Sequence, residues 1–195
     1  MAFGLWVWQR GCPQTRRTLT VTLGVKNAVL LMTSVPQVKI AIPIERLPLY
    51  RMLELYQHDL SDIWDQDLDV HGEFGYALDR FWESPDCWPY VFLIEGKLAG
   101  FALVDVKVRI PGDDFWMDQF FVMKKYRRQG IGKMAAAAVF DLHRGRWQIG
   151  QMAENLAAKA FWRQVIGAYT RERFVEEQLT SGWWHGYVQR FTSPG

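Results

Sequence analysis

The chain has 195 residues, of which 49% are hydrophobic and 23% charged, and a formal net charge of +2. This length and apolar content predict one compact domain with a single core, and the small net charge argues against a nucleic-acid partner. Cys12 and Cys87 form no C-x-x-C pattern, the histidines have no short metal spacing, and no apolar run approaches the roughly 18 residues of a membrane span, so we predict a cytoplasmic protein without metal or membrane contact.

Residues 1–37 differ from the rest of the chain, because they combine tryptophans, a Gly-Cys-Pro turn and an alternating apolar run without a recognisable motif. An orderly pattern begins only after Met32. We therefore divide the chain into an N-terminal extension of residues 1–37, whose nativeness the sequence leaves open, and a domain of residues 38–195. Met32 is the predicted native start, which the intact mass of the protein from its own source would test.

The first half of the domain mixes strand and helix patterns. Leu49, Leu53, Tyr56 and Leu60 recur at spacings of three and four, which predicts an amphipathic helix with Pro48 in its first turn. Turns with glycine separate the apolar runs that follow, which predicts an antiparallel meander. In chain order the predicted elements are a strand (38–42), this helix, a helical or irregular piece (63–82) and three strands (90–94, 98–108 and 115–123).

The second half continues with a helix that carries Met134, Ala138, Val139 and Leu142 and that Gly145 ends. The remaining predicted elements are a short strand (147–149), a helix (156–166) and two closing strands (168–175 and 184–191). The resulting order, βααβββαβαββ, predicts an α+β (mixed α/β) domain rather than a doubly wound one.

The segment 124–133 carries most of the chemical information, because it holds five basic residues and no acidic one between a predicted strand and a predicted helix. Cations at a helix N-terminus oppose the macrodipole, so we expect a bound anion to compensate them. Gly130 and Gly132 let backbone N–H groups approach such an anion closely. By itself the pattern fits a solvated basic turn equally well. The spacing of the Walker phosphate-binding motif is absent, which argues against a nucleotide triphosphatase. Positive charge for an anion is available from Arg127, Arg128 and Lys133.

Two motifs here resemble those of the GCN5-related N-acetyltransferase (GNAT) superfamily. The first is Phe121-Val122-Met123 followed by Arg127-x-x-Gly130-x-Gly132, and the second is Asn155-x-x-Ala158-x-x-Phe161-Trp162. The predicted element order is similar to that of the family, so the resemblance covers residues 38–192. It implies a GNAT-like fold, in which helices flank a central, mostly antiparallel splayed sheet.

The resemblance also implies that acetyl-CoA is the co-substrate. The strand that ends near Met123 is then expected to offer backbone groups to the pantetheine arm, and the N–H groups from Gln129 to Lys133 are expected to hold the pyrophosphate. Asn155 is expected to contact the pantetheine or to cap the following helix, and the two roles are compatible. The expected cofactor residues are Phe121, Val122, Met123, Arg127, Arg128, Gln129, Gly130, Ile131, Gly132, Lys133, Asn155, Phe161 and Trp162.

Acetyl transfer to an amine needs a base for the amine, donors for the developing oxyanion and a proton for the leaving thiolate. The resemblance implies that backbone N–H groups near Phe121 and Val122 serve the oxyanion. Asp118 is the candidate base, although a solvated surface aspartate is an equally good interpretation. Many GNAT relatives have a tyrosine where this chain has Trp162, so Tyr169 is the candidate acid or, alternatively, a core residue.

An acidic stretch supplies the clue to the acceptor. Residues 52–79 contain eight acidic side chains, interleaved aromatic residues and neither lysine nor arginine. In the fold that the resemblance implies, this region borders the acceptor side of the cleft. Acidic and aromatic groups suit a cationic amine, such as a small molecule or a lysine or N-terminal amine, whereas a solvated acidic helix face is the slightly favoured alternative.

The leading prediction is therefore an acetyl-CoA-dependent N-acetyltransferase with a primary amine as acceptor. The alternative is a non-catalytic acetyl-CoA-binding regulatory or interaction module. An RNA binder is a distant third, because the basic segment is one short loop beside an acidic block. The aromatic-rich closing strand predicts either a homodimer contact or the completion of one sheet.

Overall fold

A computed structural model describes residues 34–181 and 184–194. Most of the predicted extension (1–37), and with it the proposal that Met32 is the native start, lies outside the described residues. None of the helices in the described ranges is both long and apolar enough to cross a bilayer. The described strands are β1 (Gln37–Ile40), β2 (Cys87–Ile94), β3 (Lys97–Asp105), β4 (Phe115–Val122), β5 (Arg146–Gln151), β6 (Phe174–Leu179) and β7 (Gly186–Thr192). The described α-helices are α1 (Arg46–Trp64), α2 (Arg80–Glu83), α3 (Ile131–Leu142) and α4 (Leu156–Thr170).

The strands form one open sheet in the order β1-β2-β3-β4-β5-β7-β6. Neighbouring strands are antiparallel except β4 and β5, which run parallel because α3 connects them across one face. The predicted α+β class, the order βααβββαβαββ and the antiparallel meander of β2, β3 and β4 are confirmed.

The sheet has a hydrophobic core on each face, since its strands direct side chains to both sides. On one face, Phe92 packs with Val139 of α3 and Ile166 of α4, all fully buried. On the other face, Phe101 packs with Leu49 and Leu53 of α1. Fully buried alanines in α3 let this helix approach the sheet closely.

The structure decides one prediction that the sequence left open and corrects another. The piece 63–82 is mostly a loop between α1 and α2, because α1 ends at the left-handed residue Asp65 and Gly72 and Gly75 also have positive φ. The predicted strand 168–175 is wrong. The buried residues of α4 keep their helical spacing as far as Thr170, so α4 is longer than expected and β6 begins only at Phe174.

Candidate active site

The sheet opens between β4 and β5. Their ladder ends at the pair Met117–Ile149, although β4 continues to Val122. From Asp118 onward one side of β4 therefore has no β5 partner, and the backbone groups on that side face a cleft. The splay that the resemblance implied is present.

The hydrogen bonds of β4 to β3 decide which of its backbone groups face the cleft. Met123 N–H donates to Ala99 O on the β3 side at 2.9 Å. Because backbone groups alternate in direction along a strand, those of Phe121 also point to β3, whereas those of Phe120 and Val122 point to the cleft. Of the two oxyanion donors that the sequence indicated, the Val122 N–H has the required direction.

A cleft of about 810 Å³ lies along this open side of β4, with further walls from α1, α3 and α4. Of the expected cofactor residues, Ile131 does not line it, because its side chain is fully buried in the core. Gln129 does not line it either, and its side chain donates to Lys125 O; Met123 is also absent from the lining. The expected residues that do line the cleft are Phe121, Val122, Arg127, Arg128, Gly130, Gly132, Lys133, Asn155, Phe161 and Trp162.

The glycine turn before α3 has the geometry of an anion cradle. Gly130 is the N-cap of α3 and has a φ of 78°, a conformation that glycine adopts without a steric penalty. The first hydrogen bond of the helix runs from Met134 N to Gly130 O, so the N–H groups of residues 131–133 have no acceptor within the helix. A Cβ at Gly132 would lie 3.2 Å from the Phe161 ring, so the glycine also keeps the cleft open.

The Arg127 side chain is engaged within the protein. Its Nε donates to Val122 O at 2.6 Å, and its Nη2 lies 2.5 Å from the carboxylate of Asp59 on α1. The guanidinium also lies over the Phe121 ring. Arg127 therefore ties the glycine turn to β4 and α1, and binding a phosphate directly would require it to leave these partners.

Asp59 connects α1 to the basic segment. It pairs with Arg127 and, at 3.1 Å, with Lys124. Burial alone would raise the pKa of Asp59, but hydrogen bonds from Arg127 and Lys124 outweigh burial and hold the pKa below its usual range. The exposed Arg128 and Lys133 stay beside the cradle as cations for an anionic ligand.

The second motif forms the opposite wall of the cleft. Asn155 Oδ1 accepts a hydrogen bond from Ala158 N–H at 3.0 Å, so the side chain caps α4. Trp162 is buried in the core, and Phe161 packs against both Trp162 and Phe120. The capping interpretation of Asn155 is confirmed, and its contact with pantetheine stays a prediction.

Asp118 lies at a β-bulge, where the splay begins. Leu103 of β3 pairs with Gln119, but the next residue, Val104, pairs with Met117, so Asp118 has no partner on β3. A bulge bends the strand and redirects a side chain. The bulge places both Asp118 and Gln119 on the face of the sheet that α1 and α2 cover.

The Asp118 carboxylate is held by two donors. Tyr76 OH donates to its Oδ2 at 2.5 Å, and Arg80 Nη2 lies 2.9 Å from the same oxygen. Gln119 in turn donates to the Tyr76 oxygen at 3.2 Å. Burial raises the pKa of Asp118 above its usual value, against the lowering effect of Tyr76 and Arg80. A buried carboxylate with a raised pKa suits general-base chemistry, and Asp118 is not the solvated surface aspartate of the alternative interpretation.

Comparison with known families decides the identity of the fold. The sequence profile of the Acetyltransferase (GNAT) family matches residues 49–168, which include the splay, the glycine turn and most of α4. The chain belongs to the GNAT family. A search of curated protein sequences gave no significant match.

Solved structures agree with this membership. An acetyltransferase from Thermus thermophilus is 16% identical, with a TM-score of 0.60 over 81% of this chain and 97% of that chain. A histone acetyltransferase HPA2 and related acetyltransferase from Corynebacterium glutamicum is 14% identical, with a TM-score of 0.58 over 83% and 98%. PaiA N-acetyltransferase from Thermoplasma acidophilum, in complex with coenzyme A, is 10% identical, with a TM-score of 0.53 over 80% and 98%. At these identities the likeness shows the GNAT fold alone.

The GNAT domain does not bring Tyr169 to the cleft. Tyr169 is on the last turn of α4, and its hydroxyl donates to Asp141 on α3 at 2.6 Å and lies 3.3 Å from the Ser193 hydroxyl. Burial and the hydrogen bond to Asp141 raise its pKa to about 12. The structure thus gives Tyr169 a packing role and leaves its proposed acid role without geometric support.

Most charges of the acidic stretch are engaged within the GNAT domain. Glu54 accepts from the N–H groups of Phe74 and Gly75, which fixes the loop between α1 and α2. Asp59 holds the basic segment, as described above. These contacts reduce the number of charges available to an acceptor. The remaining engaged residues are Asp69, which accepts backbone N–H groups of its own loop, Glu73, which accepts from Tyr50, and Asp79, which pairs with Arg46.

Sequence reasoning missed the partners of Asp118. Tyr76 lies in the loop between α1 and α2, and Arg80 begins α2, about 40 positions before Asp118 in the chain. Arg80 is the first basic residue after the acidic stretch, and this position was the one feature of the sequence that could have indicated it as a partner for a carboxylate. Neither spacing nor periodicity indicates that these residues meet a bulge on β4.

Proposed function

We propose that this chain is an acetyl-CoA-dependent N-acetyltransferase that moves an acetyl group to a primary amine. The observation that carries the proposal is that one cleft is lined both by a glycine turn with unpaired backbone N–H groups and by the unpaired edge of β4. The same strand carries the Asp118 carboxylate at its bulge, although Asp118 does not itself line the cleft. Membership of the GNAT family supports acetyl transfer in general.

The cleft has the chemistry that acetyl-CoA requires. The N–H groups of residues 131–133, together with Arg128 and Lys133, suit the anionic pyrophosphate. The aromatic wall of Phe120 and Phe161 suits the thin pantetheine arm. When bound, acetyl-CoA supplies an activated thioester. The structural neighbour solved with coenzyme A supports the same ligand class.

In the proposed reaction Asp118 takes a proton from the acceptor nitrogen, directly or through water, and Val122 N–H donates to the acyl oxygen as negative charge develops on it. A bond forms between the acceptor nitrogen and the acyl carbon, and the bond from that carbon to sulfur breaks. The leaving thiolate takes its proton from solvent, because the Trp162 indole is not an acid and Tyr169 does not line the cleft.

The proposed acceptor is a cationic amine, either a small molecule or a lysine or N-terminal amine. Three acidic side chains of the 52–79 stretch, Asp62, Asp65 and Asp67, are exposed and give this region a local negative charge. Acetylation of neutral or anionic amines, with cationic amines ignored, would contradict this part of the proposal. A cytoplasmic location, the absence of a nucleic-acid partner and a homodimer stay predictions.

The alternative is a GNAT domain that binds acetyl-CoA without chemistry. The position of Trp162 and the distance of Tyr169 from the cleft favour it, because neither supplies an acid for the thiolate. Both functions predict that acetyl-CoA raises the melting temperature of the protein. Absence of any thermal shift would contradict both.

Release of free CoA separates the two functions. The full chain would be incubated with acetyl-CoA and a panel of cationic, neutral and anionic primary amines, and free thiol would be measured. The enzyme is expected to release CoA only when a suitable amine is present, and mass spectrometry should find that the amine has gained the mass of one acetyl group. Thermal stabilisation without thiol release for any amine would favour the binding module.

A further inference from the structure

Arg80 bridges two buried carboxylates. Its Nη1 lies 2.5 Å from Asp105 Oδ2 at the end of β3, and its Nη2 lies 2.9 Å from Asp118 Oδ2 at the β4 bulge. The side chains of Asp105 and Asp118 are only 1% and 10% exposed. One guanidinium thus faces two carboxylates from which water is largely excluded.

The short helix α2 fixes the guanidinium in this position. Phe81, the next residue, is buried in the core between the sheet and α1, and the Arg80 guanidinium lies 4.3 Å from the centroid of its ring. Arg80 Nη1 also contacts the sulfur of the buried Cys87 at 3.8 Å. The orientation of Arg80 is therefore set by packing and not by its carboxylate partners alone.

Asp105 is held from a second direction as well. Its Oδ1 accepts a hydrogen bond from Lys107 N–H at 2.8 Å, while its Oδ2 accepts from Arg80. Asp105 is therefore a fixed anionic anchor for one side of the guanidinium. The other guanidinium nitrogen of Arg80, Nη2, pairs with Asp118 at the splay.

We propose that Arg80 is the positioning residue of Asp118, and that Asp105 anchors Arg80 and limits the share of its charge that Asp118 receives. This inference deepens the proposed function, because it assigns the residues that orient the base and tune it. Arg80 favours the ionised form of Asp118, whereas Asp105, a like charge, opposes it. Removing Arg80 must consequently raise the pKa of Asp118, and removing Asp105 must lower it.

Several titratable and charged groups face Asp118 from the elements packed around it. Tyr76 donates to the carboxylate, and the remaining groups act through their charge or their proximity. The titratable and charged groups around Asp118 are Tyr56 on α1, Tyr76 before α2, Arg80 on α2, Asp105 on β3 and Arg109 after β3.

Direct titration of Asp118 in the purified full chain tests the inference without any acceptor. The carboxyl carbon would be followed by NMR, with its signal assigned by its loss in Asp118→Asn. Arg80→Met is expected to raise the pKa of Asp118 by about 1 to 3 units, and Asp105→Asn to lower it by about 1 unit. Arg80→Lys should restore most of the wild-type value, since it keeps the charge.

Arg46→Met is the matched control. Arg46 also pairs with an aspartate, Asp79, but both side chains are largely exposed, so the substitution should leave the titration of Asp118 unchanged. Equal pKa values of Asp118 in the wild type, R80M and D105N would overturn the inference. If R80M does not fold, the direction of the D105N shift decides, and a shift to higher pKa would contradict the anchor role.

The pH dependence of CoA release gives a second readout. The acid limb of kcat should move to higher pH in R80M and to lower pH in D105N, with KM for acetyl-CoA nearly unchanged, which a purely structural role would not produce. The two proposals fail differently. A wild type that releases no CoA refutes the proposed enzymatic function, while the NMR titration still measures how Arg80 and Asp105 affect the pKa of Asp118. An active wild type with an unmoved profile in both variants refutes the positioning role alone.

Discussion

The glycine turn before α3 offers backbone N–H groups to a ligand, whereas the polar cluster around Asp118 depends on side chains from separate elements. The cradle consists of consecutive residues and its donors do not titrate, and Asp59, which pairs with the basic segment before it, is held ionised by Arg127 and Lys124. The cluster combines a loop, α2, β3 and β4, and its central carboxylate has a raised pKa. We therefore expect ligand binding at the glycine turn to respond to added side-chain volume, and activity at the Asp118 cluster to respond to changes in charge and pH.

The largest expected effect concerns the cluster. Asp118→Asn should lower kcat for CoA release by about 100- to 10,000-fold, the usual contribution of a general base, while acetyl-CoA still raises the melting temperature. Asp141→Asn, an exposed aspartate outside the cleft, is the control and should stay near wild type. Activity of D118N within tenfold of the wild type would assign the base elsewhere.

The next effect concerns bulk in the cradle. Gly132→Val should weaken acetyl-CoA binding by about 10- to 100-fold, because its side chain would meet the Phe161 ring and fill the cleft. Isothermal titration measures the Kd, and the melting temperature without ligand checks that the fold is intact. Wild-type affinity in a folded G132V protein would contradict the placement of the cofactor.

A smaller effect is expected from Asp59, the acid that holds the cradle segment. Its folded pKa is lowered, so Asp59 stabilises the fold above its unfolded pKa of about 3.9. This contribution is lost as the pH falls through the folded pKa. Asp59→Asn should therefore reduce the acid dependence of the free energy of unfolding, by no more than about 1 kcal/mol because the pair is partly exposed.

Urea unfolding of wild type and D59N between pH 7 and pH 3 would measure this dependence. Acetyl-CoA affinity should change by less than about fivefold, since the backbone cradle is retained. A loss of binding comparable to that of G132V would mean that the tie to α1, and not the backbone, shapes the cradle.

The smallest effect is expected at Tyr169. Tyr169→Phe removes the hydrogen bond to Asp141 and should cost about 1 kcal/mol of stability, with kcat within twofold of the wild type. The measurement is a kcat profile from pH 6 to pH 10 beside a thermal melt. A tenfold lower kcat at unchanged KM would support Tyr169 as the general acid, in addition to the glycine turn and the Asp118 cluster.

Much of the cofactor side could be predicted from the sequence, because it depends on local backbone geometry. Gly130 and Gly132 at the start of a helix and Asn155 at the start of the next are features of spacing and capping, which consecutive residues determine. The engagement of Arg127 could not be predicted in the same way, since its partner Asp59 is 68 positions away in the chain.

By itself the sequence determined the element order, the GNAT resemblance and the glycine turn before α3, because periodicity, turn residues and short motifs act over a few neighbouring positions. Only the tertiary structure decided that Asp118 is buried, that Tyr76 and Arg80 hold it and that Tyr169 lies elsewhere. These facts depend on a bulge in β4 and on the packing of α2 against the sheet, which bring together residues that no local pattern relates.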